Sequence, residues 1–155
     1  MDEEVERAAA IAAIEDPAAR AGLEALDRAM RRDGYQREDP IREVFALLGD
    51  RWSMLIMLVL RTGVFRYAAL RRLVSALGAE GGISQRVLTL KLRALERDGF
   101  VVRHSTDDVP PRVDYRLSET GAGLVGEADR LFDWIRAHRP DIAAARADFA
   151  ERMDD

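Results

Sequence analysis

The stretch from Gly82 to Thr120 constrains this chain more than any other. It reads GGISQRVLTLKLRALERDGFVVRHSTDDVPPRVDYRLSET from Gly81. Ser84 is a good N-cap, and Leu88, Leu92 and Leu95 recur at helical spacing until Asp98-Gly99 stops the pattern. Two β-rich runs follow, Phe100–Ser105 and Arg112–Leu117, around the polar loop Thr106-Asp107-Asp108-Val109-Pro110-Pro111. Ser118 then opens another helix. A helix carrying Arg86, Lys91, Arg93 and Arg97 beside a hairpin edged by Arg103, His104, Arg112 and Arg116 is the layout of a winged helix-turn-helix.

The rest of the chain fits around that segment. Residues 3–14 and 17–32 read as two helices, with Asp16-Pro17 a start and Asp33-Gly34 a stop, and with Ile11, Ile14, Leu23, Leu26 and Met30 forming an apolar stripe that must be buried somewhere. Asp39-Pro40 starts a helix with Ile41, Val44, Phe45 and Leu48 on one face. Asp50 caps the next, which runs through Trp52 to Leu60, is apolar nearly all round and is therefore core; Trp52 is read as core too. Val64-Phe65-Arg66 is a short extended piece. Tyr67 to Leu77 is a helix with Leu70, Leu73, Val74 and Leu77 inward and Arg66, Arg71 and Arg72 off that stripe, and residues 78–82 form a turn. A long helix from Ser118 to about His138 carries Leu124, Leu131, Phe132, Trp134 and Ile135; Pro140 interrupts it before a last helix over 141–153. The expected fold is mainly α with a small β-hairpin wing. Its parts are a helical extension at 1–38, a winged helix-turn-helix DNA-binding domain at 39–117, and C-terminal dimerisation helices at 118–155.

Charge is segregated along this sequence. The chain totals −4, but residues 39–116 hold 13 Lys and Arg against 9 acids, and the segments on either side are each net −4. A basic middle between acidic ends fits a partner that is an anion. The absence of cysteine excludes disulfides, thiolate metal sites and thiol switches. His104 and His138, at unrelated positions, have no metal-ligand spacing, and no acid, base or nucleophile cluster suggests an enzyme. No metal or cofactor is expected. The acidic start MDEEVER is unlike a secretory signal, and the longest apolar run, Met54–Leu60, is far shorter than a membrane helix, so the expected compartment is the cytoplasm with no membrane partner.

On a helical wheel Arg86, Leu90, Arg93 and Arg97 lie opposite the leucine stripe, with Thr89 on the flank. Such a helix enters the major groove with its N-terminal end leading. At that end, Ser84 caps, Gln85 can pair with adenine, and Arg86 can pair with guanine. Thr89 can reach a phosphate or a thymine methyl, and Leu90 either meets thymine methyls or packs. Arg93 and Arg97 sit further back, on phosphates; Arg71 and Arg72 of the preceding helix are counted with the DNA-binding residues. Arg103, His104 and Arg112 flank the hairpin loop and approach the minor groove or phosphates from the strand bases, because Asp107 and Asp108 disfavour contact at the tip. A winged helix used only to bind protein is the alternative reading.

The runs DPIREVFALLGDRWSMLIMLVLRTGVFRYAALRRL and ISQRVLTLKLRALERDGFVVRHSTDDVPPRVDYRLSETG resemble the HxlR-type family of winged helix-turn-helix regulators, over about residues 39–138. The resemblance implies a bacterial transcription regulator acting as a homodimer on partly palindromic double-stranded DNA; with it, the chain is read as a repressor rather than an activator. It implies a recognition helix at Ser84–Asp98, a wing at Arg103–Arg116, and a dimer interface of Ile41, Val44, Phe45 and Leu48 with Leu124, Leu131, Trp134 and Ile135. Three features depart from the family pattern. Asp39-Pro40 stands where the family often has Cys-Pro, so an unidentified small-molecule effector replaces a thiol as the conceivable input. The turn between Arg72 and Ile83 is longer than usual, and Leu90 replaces a usually polar residue.

Overall fold

The computed structural model describes residues 3–32, 39–79 and 81–154. The expected stop at Asp33-Gly34 and Glu80 of the 78–82 turn lie outside them. The chain divides into two compact units, Met1–Ala46 and Leu47–Asp155.

In the first unit, α1 (Glu3–Ala12) and α2 (Pro17–Arg32) pair as a hairpin. Asp16 accepts from the Ala18 amide at 3.0 Å and starts α2 as the sequence indicates. The helices meet through charge: Arg7 pairs with Asp27 at 2.8 Å and Arg31 with Glu4 at 2.8 Å, and the Arg20 guanidinium donates twice to the Ile14 carbonyl. Asp27 is therefore half-hidden, whereas Leu23, Leu26 and Met30 are exposed. The helix α3 (Pro40–Gly49) begins where Asp39 accepts from the Ile41 amide at 2.8 Å.

The second unit is built on α4 (Arg51–Leu60), whose Trp52, Met54, Ile56, Met57, Val59 and Leu60 are buried, as its all-round apolar sequence demands. Against it pack α5 (Tyr67–Leu77), through Leu70 and Val74, and α6 (Gln85–Arg97), through Leu88, Leu92 and Leu95. Each such leucine contributes roughly 1.5–3 kcal/mol on burial. Leu77, expected inward, is 64% exposed: α5 ends there, and the backbone leaves extended at Gly78, whose Cβ would lie 3.0 Å from the Trp52 ring. A side chain there would press on the tryptophan ring.

The helix α6 ends in a Schellman turn. Gly99 has φ +76°, its amide bonds to the Glu96 carbonyl, and the Phe100 amide bonds to the Leu95 carbonyl at 2.9 Å. This reversal feeds β2 (Val101–Ser105), which pairs antiparallel with β3 (Val113–Leu117), Arg103 opposite Tyr115. A third strand, β1 (Phe65–Arg66), pairs antiparallel with the other edge of β3, so the sheet order is β1-β3-β2. Only the base of β2 is buried, and the outer half of the hairpin projects as a wing.

The long helix α7 (Glu119–Ala137) starts at Ser118, which accepts from the Gly121 amide at 2.9 Å and donates to the Gly99 carbonyl at 2.6 Å. Val125 and Ala128 bury against the core, and α8 (Arg139–Asp154) follows. Pro140 occupies the first turn of α8, where its missing amide costs nothing.

Two glycines of α7 test this packing with opposite signs. A Cβ on Gly121 would lie 2.1 Å from the Phe100 carbonyl oxygen, whereas nothing lies within 4 Å of one on Gly126. In denaturant titrations Gly121→Ala is expected to destabilise by about 3 kcal/mol, because backbone must move. Gly126→Ala is expected to stabilise by roughly 0.5–1 kcal/mol through helix propensity.

Asp50 gives a pH signature. Partial burial would raise its pKa, but hydrogen bonds from Lys91 and Ser53 and the Lys91 charge outweigh this and hold the carboxyl below its ordinary 3.8. A depressed carboxylate stabilises above its unfolded pKa and loses that contribution as pH falls through the folded value. Asp50→Asn keeps a good cap and removes the charge. Its stability deficit in chemical denaturation should therefore be constant from pH 5 to 7 and shrink as pH falls below about 4.

Candidate nucleic-acid interface

Three side attachments fix how α6 is held, and each starts from a residue the leucine stripe leaves beside it. Ser84 caps the helix, accepting from the Val87 amide at 3.2 Å. Lys91 lies on one flank of the stripe and donates from Nζ to Asp50 at 2.7 Å, while Asp50 also caps α4 through the Ser53 amide at 2.7 Å. Thr89 lies on the other flank, with its Oγ1 2.9 Å from the Gln85 carbonyl oxygen and 3.0 Å from the Tyr67 hydroxyl. With the leucines buried and both flanks tied, the face carrying Arg86, Leu90, Arg93 and Arg97 is exposed, Leu90 at 55%.

The basic residues on and around that face differ in what they already touch. Among the described residues no ion pair or hydrogen bond engages the side chains of Arg86, Arg93, Arg103 or Arg72. Arg97 is held by Asp98 at 2.7 Å. Arg71 donates from Nε to the Ile83 carbonyl at 3.3 Å and so supports the turn before α6. An open cleft runs along α5 to this turn, lined by Tyr67, Arg71, Arg72, Ser75 and Gln85. A second groove separates α6 from the wing, with Arg93 and Glu96 on one wall and Arg103 on the other.

At the wing, Thr106 organises the loop. Its amide donates to the Arg112 carbonyl at 2.9 Å, its hydroxyl accepts from the Arg112 amide at 3.0 Å, and the same hydroxyl donates to Asp108. The Arg112 guanidinium in turn sits 3.3 Å from Asp108. Arg112 is therefore engaged within the loop, in an exposed pair of the kind typically worth about 0–1 kcal/mol. His104 is exposed on β2 opposite Asp114, and Val109 at the loop tip is 97% exposed.

Lys91 counts among the basic charges of the helix in the sequence, but in the structure it is tied to Asp50 in a partly buried pair. Its wheel position beside Leu88 and Leu95 was a usable signal, but nothing local pointed to Asp50. Tyr67 and Arg66 were not among the expected site residues. Tyr67 reaches α6 through its hydroxyl, and Arg66 approaches Asp114 at 3.8 Å and lines a cleft with Asp108 and Arg112. Neither was visible from spacing, because each depends on elements distant in sequence.

Of the residues expected at a dimer interface, Phe45, Leu131, Trp134 and Ile135 are exposed, at 63%, 47%, 57% and 40%. Ile41, Val44, Leu48 and Leu124 are half-buried. Trp134 stacks on His138 with ring centroids 4.2 Å apart. Among the described residues there is no cluster of His, Asp and Glu able to hold a metal ion, and no helix is long and apolar enough to cross a membrane.

This geometry has known counterparts. The model of the HxlR-like helix-turn-helix matches residues 47–142. The uncharacterized HTH-type transcriptional regulator YtfH of Escherichia coli (strain K12) is 37% identical over 112 residues, spanning 72% of this chain and 84% of that one. The solved structure of the putative transcriptional regulator ytfH from Salmonella typhimurium superposes with a TM-score of 0.56 at 37% identity, covering 74% of this chain and 96% of that one. The diamide-treated YodB of Bacillus subtilis gives a TM-score of 0.55 at 29% identity, over 66% and 96% of the two chains. YtfH is named as an HTH-type transcriptional regulator, and YodB as a transcriptional regulator. The chain belongs to the HxlR-like helix-turn-helix family of DNA-binding transcriptional regulators.

Proposed function

We propose that this protein is a homodimeric repressor that reads a partly palindromic operator, with α6 in the major groove and the wing beside it. The observation that carries this reading is the exposed face Arg86–Leu90–Arg93–Arg97, held outward by a buried leucine stripe, with Arg103 across an open groove. A duplex backbone passing along the rim of that groove would meet the guanidinium groups of Arg93 and Arg103, with the Glu96 carboxylate set beside Arg93. Gln85 and Arg86, at the leading turn, are the base-reading residues; Leu90 offers an apolar surface to thymine methyls. Arg93 and Arg103, with Arg72 on the α5 side, are assigned to phosphates. Thr89 has its hydroxyl engaged at Gln85, and Arg97 and Arg112 each have an acid to leave before they reach a phosphate.

Dimerisation rests on the exposed Trp134, Leu131 and Ile135 of α7 and on Phe45 of α3, each large, apolar and uncovered in the single chain. Two copies would place their α6 helices in successive major grooves roughly 34 Å apart. The supporting relatives are named as regulators, and this chain's 155 residues contain no thiol, so any input is a bound effector or a modification other than cysteine chemistry.

Selection of bound fragments from a random DNA pool tests the whole reading. Enrichment of an inverted repeat with half-sites about one helical turn apart is the expected result. Failure to enrich any sequence would leave a protein-binding winged helix in its place.

The residue roles separate by salt and sequence dependence. Arg86→Ala should weaken binding to the selected operator by about 1–3 kcal/mol and relax the choice at one position. Arg93→Ala or Arg103→Ala should weaken binding to operator and random DNA alike, and reduce the slope of log K against log salt by about 1. Equal losses on both DNAs for Arg86→Ala would reverse the assignment.

A further inference from the structure

We propose that Tyr67 is a positioning residue for the recognition helix, setting the place of Gln85 and Arg86 without touching DNA; this rests on the DNA-binding reading above. The Tyr67 hydroxyl donates to the Gln85 carbonyl at 2.8 Å and lies 3.0 Å from Thr89 Oγ1, which is itself 2.9 Å from the same carbonyl. Three oxygens thus form a closed triangle served by two hydroxyl hydrogens. The two hydroxyls are not equivalent. Thr89 bonding to Gln85 is a bond four residues back within α6 and holds nothing else. Tyr67 stands at the first position of α5, so its bond joins one helix to the other.

Two more bonds link α5 to the approach to α6: Ser75 Oγ accepts from the Ile83 amide at 3.1 Å, and Arg71 Nε donates to the Ile83 carbonyl. Both act on Ile83, ahead of the Ser84 cap. Tyr67 alone of the three reaches the helix itself, at its first residue. The body of α6 is placed by Leu88, Leu92 and Leu95, but the leading turn precedes that stripe and has no buried side chain of its own. The tie therefore acts at the end that enters the groove.

Base reading is sensitive to such a tie in a way that phosphate binding is not. A hydrogen bond to a base edge tolerates donor–acceptor distances of only about 2.7–3.2 Å, so a shift on the order of 1 Å at the leading turn breaks it. The attraction of a guanidinium for phosphate falls only as the reciprocal of distance and survives the same shift. Loss of the Tyr67 hydroxyl thus costs sequence discrimination and spares general affinity.

The test is Tyr67→Phe, which keeps the ring and removes the hydroxyl. Affinities for the wild-type-selected operator and for random DNA are measured over a range of salt. Amide exchange along α6 is followed in the free protein. Operator affinity should fall about fivefold, the worth of one hydrogen bond. Random-DNA affinity should stay within about twofold with an unchanged salt slope, as no phosphate contact is lost. Exchange should quicken at Leu88 and Thr89 and stay unchanged at Leu92 and Leu95. Parallel losses on both DNAs, intact discrimination, or unaltered exchange at Leu88 and Thr89 would each overturn the proposal. A wild type that enriches no sequence removes the DNA reading itself. A wild type that discriminates, beside a variant that discriminates equally well, removes the role of Tyr67 alone.

Discussion

Burial of Leu88, Leu92 and Leu95 against α4 is the contact on which the rest of the site depends. A helix with one apolar stripe has one low-energy rotation about its axis, since turning it would expose three leucines at roughly 1.5–3 kcal/mol each. That rotation decides which charges meet solvent. The polar flanks then narrow it further: Lys91 to the cap of α4 on one side, Thr89 and Tyr67 to α5 on the other. An exposed arginine face is thus a product of apolar packing, with electrostatics confined to the edges.

Asp50 shows how economical the arrangement is. One carboxylate caps α4 and receives the Lys91 ammonium of α6. It stands directly after α3, the helix bearing the exposed Phe45. The wing is anchored differently. Gly99 reverses the chain, Ser118 bonds back to the Gly99 carbonyl, and Gly121 lets α7 start against Phe100. The hairpin's base is therefore clamped between two helix ends while its outer half stays free of the core.

Much of this was legible in the residues. Asp16, Asp39, Asp50, Ser84 and Ser118 start helices where their side chains indicate, and the leucine stripe of α6 is buried as its period requires. The short piece at Phe65-Arg66 read as extended, but its pairing with β3, some fifty residues on, left no local trace. Leu77 fitted the inward stripe of α5 by angle and is exposed because the helix ends there. The apolar stripe of α2 calls for burial by its period, but α2 turns charged residues toward α1 and leaves Leu23, Leu26 and Met30 exposed.

Local chemistry is short-ranged, so the sequence by itself determined what depends on neighbours within a turn or two: caps, helix periods, the glycine stops, the hairpin, and the family motifs that those elements carry. Only the tertiary structure decided which charged and polar groups are tied to other elements of the fold. Lys91 and Asp50 are 41 residues apart, and Tyr67 and Thr89 are 22 apart. A helical wheel gives each residue an angle but says nothing of what stands opposite it. That depends on how separate elements pack, and it is what turns a row of basic residues into an exposed face with defined flanks.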